Sequence, residues 1–154
     1  MKRLLVIAHA PSPNTAALRD AVLDGAREGG DDAVEVSCKP PLEAGASDVL
    51  AADGVILGTT ENLGYMAGAM KDFFDRSYYG VIEEKQGMPY AVYIRAGLDG
   101  TGTRRAIESI AGAGLGWKAM RDPLICKGDW NDGFVEECRE LGMLAAAGLD
   151  AGIF

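Results

Sequence analysis

Three short stretches hold the residues best placed to do chemistry. The first is His9-Ala10-Pro11-Ser12-Pro13-Asn14-Thr15-Ala16. It offers two hydroxyls, an amide and the free N–H groups of a helix start, with no lysine or arginine between Arg3 and Arg19. Such a segment can cradle an anion without a cation, through hydrogen bonds and the helix dipole. The same residues also make a plain helix cap, so the loop alone supports either reading. The second stretch is Gly58-Thr59-Thr60-Glu61-Asn62-Leu63-Gly64-Tyr65-Met66-Ala67-Gly68. Thr60, Glu61 and Asn62 supply polar groups for the edge of a planar heteroaromatic ring, and Gly64 and Gly68 let the backbone come close. The third, Ala96-Gly97-Leu98-Asp99-Gly100-Thr101-Gly102, offers a flexible second wall.

Other chemistries lack their residues. His9 is the only histidine, which excludes multi-histidine metal centres. The cysteines, Cys38, Cys126 and Cys138, are odd in number and widely spaced, so neither a disulfide framework nor a zinc site is expected. Free thiols fit a reducing cytoplasm. No Walker loop and no G-x-S-x-G elbow occur. The glycine cluster at 97–102 has the wrong order and place for a dinucleotide fingerprint. No cysteine or acidic cluster follows the first strand, which disfavours phosphatase and phosphoacceptor chemistry. No catalytic residue and no metal ligand is therefore expected.

The elements that must position these loops follow from periodicity. Residues 3–9 form a continuous apolar run, as in a buried strand. Asn14 or Thr15 can cap a helix whose stripe is Leu18, Val22 and Ala26, ending at Gly29-Gly30. Residues 33–38 alternate and suit a strand nearer the sheet edge. A short helix is predicted at 48–52, a central strand at 54–58 and a helix over 66–78 with Phe73-Phe74 in the core. A strand follows at 89–95 and a helix at 102–113. The last strand lies within 117–126, with Pro123 marking an irregularity. A final helix spans 131–149. Five β-α alternations predict a flavodoxin-like three-layer α/β/α sandwich, with a five-stranded parallel sheet of order 2-1-3-4-5. The three stretches then meet at the carboxyl ends of the strands, one suited to phosphate and two to a flat ring. That combination describes an FMN site.

The chain resembles the flavodoxin-like family, in particular its NAD(P)H:quinone and FMN reductase branch. The first stretch resembles the family's phosphate loop, usually S-x-T-G-N-T, with Ala10 and Pro13 replacing the usual serine and glycine. The resemblance places Ser12, Asn14, Thr15 and Ala16 on the FMN phosphate, with Ala10 in the same loop. The second stretch, followed by Lys71, Phe73 and Asp75, is similar to the reductases' G-T-P-x-x-x-G-x-M-x-G loop. It implies that Thr60, Glu61, Asn62, Leu63 and Gly64 line the isoalloxazine ring, with Tyr65 at its border. Ala96, Gly97, Asp99 and Gly100 correspond to the third cofactor loop. The implied activity is an NAD(P)H-dependent oxidoreductase: NAD(P)H is a transient electron donor, and a quinone or similar small molecule is the acceptor. The alternative is a flavodoxin-type carrier between protein redox partners. A third reading, a binding module without FMN, rests on Ala10 and Pro13. The absence of an aromatic residue from 96–102 favours the reductase, since flavodoxins usually sandwich the ring between aromatics.

Length and charge set the frame. The chain has 154 residues, enough for one domain, residues 1–154. Its formal net charge is −8, which argues against a nucleic-acid partner and fits docking to basic redox proteins. No stretch approaches the ~18 apolar residues of a membrane helix, so no membrane insertion is expected. A cytoplasmic homodimer or homotetramer is the expected assembly. Glycine occurs 21 times, about twice the usual share of roughly 7%. The excess is expected where backbone must close around a flat cofactor, at Gly58, Gly64, Gly68, Gly97, Gly100 and Gly102.

Overall fold

The computed structural model describes the whole chain, residues 1–154. Strand β1 (Lys2–Ala8) leads into helix α1 (Pro13–Gly30), then β2 (Val34–Lys39), the short α2 (Ala46–Leu50) and β3 (Gly54–Asn62). A two-residue β4 (Tyr65–Met66) follows, then α3 (Gly68–Val81), β5 (Pro89–Ala96) and α4 (Thr101–Ile107). The chain closes with β6 (Lys118–Ala119), β7 (Leu124–Lys127) and α5 (Gly133–Ala151). The sheet order is β2-β1-β3-β5, with β6 and β7 both pairing β5 in parallel.

The flavodoxin-like layering and strand order match the expectation. The strand count does not, since the sheet holds seven strands instead of five. Two local causes account for the difference. The fifth position is broken: Tyr90 faces Ala119 and Tyr93 faces Leu124, so five residue steps on one chain oppose three on β5. Pro123, which has no N–H to give a ladder, lies in the looped-out part. Separately, β3 runs four residues past Gly58 and folds back on β4, pairing Glu61 with Met66 and Asn62 with Tyr65. The expected loop at 59–66 is therefore largely a hairpin. Its turn residues Leu63 and Gly64 have φ of 53° and 74°. Positive φ at both central positions suits the right-handed twist of a two-residue hairpin.

The sheet is buried on both faces, which is why β1, β3 and β5 read as unbroken apolar runs. Successive residues of each strand enter different cores. Leu5, Ile7, Val55, Leu57, Val92 and Ile94 pack with Met70, Phe73 and Ile107 beneath α3 and α4. Leu4, Val6, Ile56 and Tyr93 pack with Leu18, Val22, Leu141 and Ala145 beneath α1 and α5. Beyond α4, residues 108–114 continue as a widened π turn, with the Leu115 N–H donating to the Ile110 carbonyl at 2.8 Å. No helix is long and apolar enough to cross a membrane.

Some glycines act elsewhere than expected. A Cβ on Gly58 would collide with the Tyr93 ring, so this glycine serves the α1/α5 core instead of a ligand. Gly25 and Gly142 let α1 and α5 touch backbone to backbone, where a Cβ would strike the carbonyls of Arg139 and Val22.

Candidate functional site

Because β1, β3 and β5 are parallel, the loops that follow them open at one end of the sheet. Helix α1 begins there with a capping box. Ser12 Oγ accepts from the Thr15 N–H at 3.2 Å, and Thr15 Oγ1 accepts from the Ser12 N–H at 2.9 Å. The Thr15 hydroxyl also donates to the Ser12 carbonyl at 3.0 Å. The Ala16 N–H is bonded to the Ser12 carbonyl at 2.9 Å. Pro13 occupies the first helical position, where its missing N–H costs nothing to the helix. The N–H groups of Ala10 and Asn14 have no partner within the protein. No acidic residue lies in the first turn, so nothing there repels an anion.

The donors are thus of the right kind for a phosphate, and some of them are already engaged. Partial burial pushes the His9 imidazole below its ordinary value, which disfavours a cation there.

The other two loops are tied to each other by Glu61. Its carboxylate accepts from the N–H of Leu98 at 2.9 Å and of Gly100 at 2.8 Å. This holds the end of β3 against the start of α4. Two more contacts close the same seam. The Thr103 hydroxyl donates to the Tyr65 carbonyl at 2.8 Å, and a Cβ on Gly102 would collide with the Gly64 carbonyl. The Thr59 hydroxyl receives the Ala67 N–H at 3.1 Å and so fixes the entry to α3. The Thr60 hydroxyl donates to the Asn62 side-chain oxygen at 2.7 Å. Asp99 accepts from the Thr101 N–H at 3.0 Å, and the bonds from Thr101 hold its carboxyl below the usual carboxylate range.

The predicted site residues therefore gather at one end of the sheet in three groups. Ala10, Ser12, Asn14, Thr15 and Ala16 form the α1 entry. Thr60, Glu61, Asn62, Leu63, Gly64 and Tyr65 form the hairpin, with Leu63 fully exposed at its tip. Gly97, Asp99 and Gly100 form the α4 entry. Ala96 stands apart: it is fully buried, and its carbonyl takes the N–H of Gly128 and Nη1 of Arg95.

Arg95 is a residue the sequence reading passed over. It lies at the carboxyl end of β5, and its guanidinium stacks over Phe134 at 5.3 Å and Trp130 at 5.8 Å. The available signal was a single cation ending the otherwise uncharged run Pro89–Ile94. Thr59 and Thr103 were also missed: the partner of Thr103 lies 38 residues away, and that of Thr59 is a backbone N–H across the β3–β4 hairpin. No cluster of three or more histidine, cysteine or acidic side chains is arranged to hold a metal ion.

Comparison with known proteins places this geometry. No family model matches the chain. Over 112 residues the chain is 35% identical to a flavodoxin of Aquifex aeolicus. The match covers 71% of this chain and 58% of that flavodoxin, so the chain spans little more than half the length of its curated relative. A flavodoxin from the domain Archaea superposes with a TM-score of 0.79 at 20% identity, covering 96% of this chain and 98% of the other. A flavodoxin, WrbA-like protein from Agrobacterium tumefaciens gives 0.77 at 18% identity, covering 98% and 99%. The flavodiiron protein from Giardia intestinalis gives 0.81 at 15% identity, covering 98% of this chain and 37% of that one. The chain therefore has the flavodoxin-like fold over nearly its whole length, and its sequence is similar to that of a flavodoxin.

Proposed function

We propose that the chain binds FMN at the convergence of its three loops and carries electrons between protein partners. One observation carries the reading. A neutral, acid-free helix entry and two loops closed into one seam lie together at the carboxyl ends of a parallel sheet, where this class of fold takes its ligands. Similarity to flavodoxins over most of the chain supports it. When bound, FMN supplies the redox chemistry, and the protein supplies position and electrostatics. The Ala10 and Asn14 N–H groups, the Asn14 amide and the Ser12 hydroxyl would hold the phosphate end, with the Thr15 hydroxyl, bonded to the Ser12 carbonyl, fixing the turn that presents them. The hairpin and the 97–100 loop present backbone and Thr60 to the ring edge, and Glu61 keeps the two at fixed separation. Leu63 and Leu98, both well exposed on these loops, offer an apolar docking tip on an acidic protein.

A second reading is an NAD(P)H-dependent oxidoreductase that passes electrons to a quinone or similar acceptor. It is favoured by the 96–102 loop, which has no aromatic side chain to cover one ring face. A homodimer or homotetramer completing that open face belongs to this reading.

One experiment separates the two. The purified protein is supplied with FMN, freed of excess and titrated anaerobically with NADH, NADPH and dithionite while its visible spectrum is recorded. A carrier retains flavin bands, ignores both nicotinamides and takes up electrons from dithionite in two resolved steps. Rapid bleaching by a nicotinamide establishes the reductase. Absence of flavin bands after FMN is supplied overturns both.

A further inference from the structure

The α1 entry offers a phosphate monoester neutral donors but no cation. Such a group carries about −1.5 to −2 charges near pH 7. Within residues 9–16, Pro11 and Pro13 have no N–H to offer. The N–H groups of Ser12, Thr15 and Ala16 are engaged locally, which leaves those of Ala10 and Asn14. Partial burial disfavours the charged form of His9, and no lysine or arginine lies between Arg3 and Arg19.

Arg95 is placed to make up the deficit. Ala8 pairs with Gly58, and two residues further along β3 Thr60 pairs with Arg95. Thr60 and Arg95 thus lie side by side at the carboxyl end of the sheet, and residues 9–16 leave the end of β1 on the far side of β3. Adjacent strands stand about 4.8 Å apart, so the Arg95 backbone lies about two spacings, ~10 Å, from β1, and its guanidinium, bonded to the Cys126 carbonyl on the β7 side, must swing towards β1 to meet a ligand at the loop. It also lies on the correct face, because Trp130 and Phe134, on which it stacks, pack against the α1/α5 core.

The guanidinium is held but not used up. Nη1 donates to the carbonyls of Ala96 and Cys126, each at 3.0 Å. Nε and Nη2 make no hydrogen bond within the protein, and no carboxylate forms an ion pair with Arg95. A planar cation with three unspent donors, oriented by two aromatic rings, suits a phosphate.

We propose that Arg95 supplies the positive charge for the phosphate monoester of the ligand held at residues 10–16, and so selects a phosphorylated flavin over its unphosphorylated parent. The inference rests on the FMN reading above. A guanidinium that merely clamps the Cys126 carbonyl would discriminate between no ligands. The test titrates the flavin-free full chain with FMN and, separately, with riboflavin, following the quenching of flavin fluorescence. Wild type, Arg95→Met and Arg95→Lys are compared at low and high salt.

The expected result is that Arg95→Met weakens FMN at least about tenfold and leaves riboflavin within about twofold. Arg95→Lys keeps part of the FMN affinity. Raising salt from about 0.05 to 0.5 M weakens FMN more in the wild type than in Arg95→Met, since the repulsion from the acidic surface acts in both. The proposal is overturned if both flavins weaken together in Arg95→Met, if neither does, or if salt acts equally on FMN binding by the wild type and Arg95→Met. A wild type that binds neither flavin overturns the FMN reading itself, whereas one that binds FMN with Arg95→Met unchanged overturns only the role of Arg95.

Discussion

The two halves of the site are closed by bonds of opposite range. At the α1 entry the partners are Ser12 and Thr15, three residues apart. At the loops after β3 and β5, Glu61 reaches Leu98 and Gly100, 37 and 39 residues away. The first closure forms with one turn of helix and needs nothing else. The second exists only once β3 and β5 are side by side in the sheet. A local cap can be removed at small cost because water replaces it, while a cross-loop tie carries the separation of two walls. The entry should therefore behave as a self-contained unit, and the seam should fail as a whole.

Four substitutions test that contrast. Gly102→Ala is expected to be the most disruptive, because its Cβ meets the backbone carbonyl of Gly64, which cannot rotate aside. A loss of about 3 kcal/mol in urea unfolding is expected, with both ring loops gaining amide exchange. An unchanged midpoint would mean that the seam is looser than described. Glu61→Ala removes the shared acceptor of two N–H groups and should cost about 2 kcal/mol. Its signature is faster exchange at Leu98 and Gly100 with α1 unaffected. Ser12→Ala should cost about 1 kcal/mol and speed exchange only in the first turn of α1. Exchange changes reaching the hairpin would show that the two halves are coupled. Leu63→Asn should stabilise the protein by about 0.5 kcal/mol, since Leu63 sits at φ 53° and Asn-Gly favours this turn. A lower midpoint would show that the exposed leucine makes a contact not visible in the monomer.

The same division by range explains how much could be read in advance. The α1 entry was legible as a helix start, although the cap expected at Asn14 or Thr15 is Ser12, with Pro13 already the first helical residue. The buried strands were legible from runs such as Leu4–Ala8 and Val55–Leu57. The hairpin was missed because Thr59 to Asn62 look like loop residues. Their strand form comes from pairing with β5 and β4, as when Thr60 faces Arg95. Glu61 was noticed as a carboxylate near a ring, yet its partners are backbone N–H groups that no sequence pattern marks. The glycine excess divides likewise. Gly64 and Gly100 sit at positive φ in the expected loops, but Gly58, Gly25 and Gly142 serve close packing inside the fold.

By itself, the sequence determined the layer order, the polarity of each face and the end of the sheet at which polar loops would gather. Those follow from periodicity, the right-handed crossover and local capping, all of which act over a few residues. Only the tertiary structure decided which loop closes on which, that Glu61 is the tie, and that Arg95 stands on the α1/α5 face of the sheet. These depend on strand register and on which side of the sheet a residue falls, and both are fixed by packing across the whole core.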